Sequence, residues 1–142
     1  MSSKQSMTLE TLERHLKQKL KDNPQLLLPN AHNVYIDERK YTEYLFGGID
    51  ERGLNKGRLI TNLLGYGLHN YRQFDKVVKR AVTEFPAALK RQDSRGAAYE
   101  VITVITGLIG RKAKVVIAAF VDLTNARVTT VYIKEVKESD FA

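Results

Sequence analysis

Thr130 and Tyr132, two residues apart near the end of the chain, offer a hydroxyl and a phenol that could take part in proton transfer. They lie in the run Arg127-Val-Thr-Thr-Val-Tyr-Ile-Lys-Glu135, whose β-branched density marks a strand. Side chains alternate along a strand, so Thr130 and Tyr132 share one face while Thr129, Val131 and Ile133 share the other. Upstream, Asn55-Lys-Gly-Arg58 places Lys56 and Arg58 at what reads as the start of a short helix capped by Asn55. A phosphate held there would also meet free backbone N–H groups. Arg111 follows the turn Gly107-Leu-Ile-Gly110, and His69 precedes a candidate helix cap at Asn70. An imidazole is the side chain most often used as a general base.

These are the groups that metal-free RNA cleavage uses. One takes the proton of the ribose 2′-OH, another protonates the leaving 5′ oxygen, and cations stabilise the phosphate between them. DNA lacks the 2′-OH, so such a constellation selects RNA by its chemistry. Each residue also has an ordinary reading. Surface cations solvate a helix or a hairpin end, Thr130 suits a wet strand face, Tyr132 can pack with a wet tip, and most lone histidines are not catalytic.

Other chemistries find little support. The chain has no cysteine, which removes thiol nucleophiles, disulfides and cysteine zinc sites. His15, His32 and His69 show no ligand spacing, and Asp75, Glu84, Asp93 and Glu100 are too scattered to suggest a two-metal site. Neither Gly53-Leu-Asn-Lys-Gly57 nor Gly107-Leu-Ile-Gly110 has the spacing of a nucleotide-triphosphate loop. No metal and no cofactor is expected. No apolar run approaches the roughly 20 residues of a membrane helix, and the polar start lacks the apolar core of a secretory signal. The expectation is a soluble chain without a membrane anchor, any export signal lying on something else.

The net charge of +7 is unevenly spread. Residues 52–114 hold 13 Lys and Arg against 4 Asp and Glu, whereas the rest of the chain holds 10 against 12. A basic segment of this kind suits a polyanion partner, although a merely solvated basic surface would look the same.

The elements that must position these groups read as helices first and a sheet second, an α+β pattern. Leu9, Leu12, Leu16 and Leu20 form an apolar stripe over residues 8–22, an amphipathic helix stopped near Asn23-Pro24. Residues 1–27 form an N-terminal helix and linker, and residues 28–142 the main domain. Pro24 to Asn33 reads as an extended connector and Val34 to Ile36 as a short edge strand. Asp37 can cap a helix through Phe46, Gly65 or Gly67 can end the NKGR helix, and Pro86 closes a third helix begun at Asn70. A polar basic loop over residues 90–96 then leads into an antiparallel meander of Ala97 to Thr106, Arg111 to Val121 and Arg127 to Glu135. The unbroken apolar run Val115 to Val121 suits its central strand.

The order LPNAHNVYIDERKYTEYLF, NKGRLITNLLGY, YEVITVITGLIGRKAKVVIAAFV and RVTTVYI, over roughly residues 28–133, resembles a family of bacterial polymorphic-toxin domains. That family is placed with the barnase/EndoU/colicin/RelE-like ribonuclease toxins, among them the C-terminal tips of contact-dependent growth inhibition proteins. Its early basic motif falls on Lys56 and Arg58, its hairpin motif on Gly110 and Arg111, and its terminal T.Y on Thr130 and Tyr132. An aromatic expected in the middle strand is Phe120 at best, and a proline expected after the final tyrosine is Ile133. The resemblance implies a secreted or surface-delivered toxin domain that cleaves RNA, above all tRNA, in the cytoplasm of a target bacterium. It also implies an acidic immunity protein as partner. With His69 added from the reading of the residues, the expected catalytic set is Lys56, Arg58, Arg111, Thr130, Tyr132 and His69. A non-catalytic nucleic-acid-binding module is the alternative.

Overall fold

A computed structural model describes the backbone of residues 2–142 and the side chains of residues 8–142. The helices are α1 (Ser2–Asp22), α2 (Glu51–Leu64) and α3 (Tyr71–Glu84). The strands are β1 (Val34–Tyr35), β2 (Ala87–Asp93), β3 (Gly96–Thr106), β4 (Lys112–Val121) and β5 (Ala126–Ile133). They form one five-stranded sheet in the order β1-β5-β4-β3-β2, antiparallel except that β1 runs parallel to β5. The fold is α+β, with the helices mostly ahead of the sheet and β4 at its centre, as the apolar run from Val115 implies.

In-register partners point to the same side of a sheet, so the pairing sorts the two faces. One carries Val101, Thr103, Val115, Ile117, Ala119, Val128 and Val131, all buried, and with Ile60 and Leu64 of α2 and Phe74, Val78 and Val82 of α3 they make the core. Thr103 spends its hydroxyl inside this layer, donating to the Val115 carbonyl at 2.9 Å. The other face carries Glu100, Ile102, Lys114, Val116, Ala118, Phe120, Arg127, Thr130 and Tyr132. A bulge opposite Ala118/Ala119 absorbs Thr129, which keeps Thr130 in register with Ala118 and Tyr132 with Val116. Thr130 and Tyr132 therefore share a face as the alternation predicts.

Several boundaries differ from the sequence expectation, each for a local reason. The first helix begins at Ser2 rather than residue 8, and Leu12 and Leu16 of its stripe are buried in the common core. The stretch expected to be extended from Pro24 to Asn33 instead coils into two 3-10 turns, Pro24–Leu26 and Ala31–Asn33. The helix expected after Asp37 is a π-helical segment, Lys40–Leu45, in which the Phe46 N–H reaches back to the Tyr41 carbonyl.

The NKGR helix does not start at Asn55. Asp50 is its N-cap, accepting the Arg52 N–H at 2.9 Å, so α2 begins a turn earlier. Lys56 and Arg58 thus lie in the helix interior, where backbone N–H groups are already bonded and offer nothing to a phosphate. Gly65, at φ +82°, ends α2 as expected. The basic loop of residues 90–96 is largely strand: β2 pairs with β3 through a tight turn at Ser94 and Arg95. Charged residues hid its strand character, because β2 is an edge that projects into solvent.

Candidate functional site

Two glycines bring the site together. Gly53 and Gly57, one turn apart on α2, face the π-helical segment so closely that a Cβ on Gly57 would sit 1.8 Å from the Leu45 carbonyl oxygen. A Cβ on Gly53 would lie 2.4 Å from the Tyr44 carbonyl oxygen. This approach seats Lys56 beside Tyr44 and lets it reach the edge of β5.

The Lys56 ammonium donates to the Tyr44 phenol oxygen and to Thr130 Oγ1, both at a long 3.4 Å. It also lies 5.5 Å from the centre of the Tyr44 ring and 5.6 Å from that of Tyr132. Lys40 stands 5.9 Å from the Tyr44 ring, and Lys134 stands 5.9 Å from the Tyr132 ring. The result is an alternating row, Lys40, Tyr44, Lys56, Tyr132, Lys134, with the Thr130 hydroxyl at its middle. No carboxylate among the described residues lies within ion-pair distance of Lys56, Lys40 or Lys134. Three lysines held by neutral rings leave their charge available to an anion.

Across β4 from Thr130 lies Glu100, since both pair with Ala118. Two strand spacings separate their backbones by about 10 Å, room for a phosphodiester between them. Lys90 approaches Glu100 to 4.0 Å on its other side. Burial, and after it the charge of Glu100, raises the Tyr132 phenol above its ordinary value. Tyr132 is therefore protonated at neutral pH and is a proton donor, not a base.

Of the six residues singled out from the sequence, the fold gathers Lys56, Thr130 and Tyr132. Arg58 lies about 200° around α2 from Lys56, exposed and bonded to Asn55 at 3.1 Å. His69 is exposed in the turn between α2 and α3. Arg111 stands at the far end of β4, roughly 17 Å along the strand from the Tyr132 row. Its neighbour Lys112 is tied to Glu13 of α1 at 2.8 Å. Tyr44, Lys40, Lys134 and Glu100 were missed. Lys40 and Tyr44 stand four apart, a spacing that puts two residues on one helical face, but nothing in the sequence ties them to Thr130.

The basic segment is also less cationic in space than in sequence. Arg52 pairs with Asp50, Arg72 with Glu38, Lys79 with Asp75, Arg95 with Asp93 and Lys114 with Asp140. Among the described residues no three His, Asp or Glu side chains come together as a metal site. No helix among them is long and apolar enough to cross a membrane.

A family model described as a domain of unknown function, DUF6883, matches residues 27–135. The chain belongs to the DUF6883 family. No curated protein and no solved structure matches it. The DUF6883 span takes in all five strands, α2, α3 and the whole lysine–tyrosine row together with Glu100. It leaves out α1 and the C-terminal 3-10 turn, Glu138–Phe141.

Proposed function

We propose that this DUF6883 domain is a metal-independent endoribonuclease, the toxin domain of an antibacterial effector. In this reading it acts on RNA in the cytoplasm of a target bacterium and is neutralised by an acidic immunity protein that covers the lysine–tyrosine row. A preference for tRNA rests on the sequence resemblance alone. The observation that carries the reading is Lys56, unpaired by any carboxylate and set between Tyr44, Thr130 and Tyr132, with Glu100 across the strand.

The division of labour follows from charge. Glu100 takes the 2′-OH proton, and the freed 2′ oxygen attacks phosphorus. Lys56 faces the charge that grows on the phosphoryl oxygens, with Thr130 orienting one of them. The P–O5′ bond breaks and the 5′ oxygen takes the Tyr132 proton, leaving a 2′,3′-cyclic phosphate. Arg58, Arg111 and His69 stand apart from this group and have no part in the step.

The test is incubation of the purified domain with total RNA in excess EDTA. Discrete fragments with 2′,3′-cyclic ends are expected, and Lys56→Ala should form them roughly 100- to 1,000-fold more slowly. Intact RNA, together with normal growth of cells expressing the domain, would overturn the reading. A non-catalytic nucleic-acid-binding module is the second reading, favoured by the lysine–tyrosine row itself, which needs no chemistry to hold a phosphate chain. It predicts salt-dependent binding with no strand scission.

A further inference from the structure

One row of the sheet beyond Thr130, three residues form a band across three strands. Tyr35 of β1 pairs in register with Arg127 of β5, which pairs with Phe120 of β4. Partners in register share a face, so Tyr35, Arg127 and Phe120 lie on the face that carries Thr130, Tyr132 and Glu100. From the Phe120 row to the Ala118 row, where Thr130 and Glu100 lie, the step is about 7 Å. Two depressions meet at this band. One, of about 400 Å³, runs between β5 and the π-helical segment and is lined by Lys40, Tyr44 and Thr129 among others. The second, of about 460 Å³, is lined by Phe120, Asp122 and Asn125. Tyr35 and Arg127 belong to both walls, and Tyr35 is 53% exposed. Through Lys40 and Tyr44 the first depression runs directly into the lysine–tyrosine row.

The charges lining these depressions balance. Arg39, Lys40 and Arg127 face Asp37, Glu43 and Asp122, and Arg39 is tied to Asp37 at 2.7 Å. A near-neutral bowl has little hold on a phosphate, unlike Lys56 and Lys134, which line neither depression. What it offers is flat surface: an exposed phenol ring, a guanidinium plane and a half-buried phenyl ring. Such planes receive nucleobases, which have a π-face whatever their identity. A base can lie on them only when it is not stacked and paired in a helix.

From this geometry we propose that the Tyr35–Arg127–Phe120 band is a stacking subsite for an unpaired nucleobase next to the scissile phosphate. The substrate is then single-stranded RNA, such as a loop, and not a duplex. This rests on the ribonuclease reading above and adds the substrate class.

The experiment separates the two. Binding is measured first, by fluorescence anisotropy, with a short 2′-O-methyl oligonucleotide that cannot be cleaved, presented as single strand or as duplex. The single strand should bind at least tenfold more tightly. Tyr35→Ala and Arg127→Ala should each weaken that binding roughly tenfold, in line with the loss of one stacked base, while Tyr35→Phe should bind like wild type. In cleavage of a single-stranded RNA, Tyr35→Ala should raise KM by a similar factor and leave kcat within about threefold. Equal binding of duplex and single strand, or an unchanged affinity in Tyr35→Ala, overturns the subsite even if RNA is cleaved. Single-strand binding that depends on Tyr35, without any cleavage, keeps the subsite and overturns the ribonuclease reading.

Discussion

Lys114 and Lys56 meet the same face of the sheet, Lys114 one row beyond the Tyr132 row that Lys56 touches, and they are held in opposite ways. Lys114 is sealed: its side chain is 3% exposed and its ammonium meets Asp140, itself 5% exposed, at 2.7 Å. It also donates to the Glu135 carbonyl, and Asp140 accepts the Lys137 N–H at 2.7 Å, so every partner of the pair is satisfied. Lys56 contacts neutral oxygens and ring faces, with no carboxylate among the described residues within ion-pair distance. The same residue type thus closes one row of the face and leaves the next one open. What separates a structural lysine from an available one is whether a carboxylate has been supplied to it.

That contrast can be broken from the closed side first. Lys114→Ala leaves Asp140 buried without a counter-charge, and a loss of about 3–5 kcal/mol in urea-induced unfolding is expected. Lys114→Met combined with Asp140→Leu removes both charges and should recover most of that loss. If the single variant is as stable as wild type, Lys114 is no more structural than Lys56 and the comparison fails.

From the open side, Lys56→Ala should lower RNA cleavage by roughly 100- to 1,000-fold. Its unfolding free energy should stay within about 0.5 kcal/mol of wild type. A large stability loss would show that Lys56 is a structural residue as well. Gly57→Ala tests the approach that delivers Lys56: the added methyl meets the Leu45 carbonyl, so a cost of about 1–3 kcal/mol is expected, with cleavage falling alongside as α2 shifts.

The smallest effects are those of pH. Because folding raises the Tyr132 pKa, the folded state holds that proton more tightly than the unfolded chain does. The stability this supplies is complete below the ordinary tyrosine value near 10 and is lost as pH rises through the folded value. Tyr132→Phe should therefore flatten part of the alkaline decline in an unfolding titration, the rest belonging to Tyr41 and Tyr66, which burial also raises. Asp37 behaves oppositely. The Arg39 guanidinium and backbone N–H hold its carboxyl down to about 2, so its contribution is lost only as the solution is acidified from near 4 towards 2. Asp37→Asn should remove that acid-side slope.

Much of the fold could be read directly. The meander strands, the central position of β4, the Gly65 helix end and the shared face of Thr130 and Tyr132 all follow from period, β-branching and turn residues, which are local signals. β2 was not legible, since an exposed edge strand with Lys90, Arg91, Gln92 and Asp93 has the composition of a loop. The start of α2 was missed because Asp50 and Asn55 are both competent caps, and only packing of the helix through Gly53 and Gly57 selects the first. Arg58, Arg111 and His69 looked equivalent to Lys56 because residue type says nothing about direction. Glu100, read only as a metal ligand without companions, gained its place from a cross-strand neighbour.

The sequence by itself determined the α+β class, the strand alternation that puts Thr130 beside Tyr132, and the excess of positive charge. These are properties of neighbours within a few residues. Which cation faces Thr130, which carboxylate stands opposite, and which lysine is neutralised were decided by tertiary structure alone. Thr130 meets Lys56 across 74 residues and Lys114 meets Asp140 across 26, and contacts of that separation depend on how helix and sheet pack. Local periodicity holds no record of that packing.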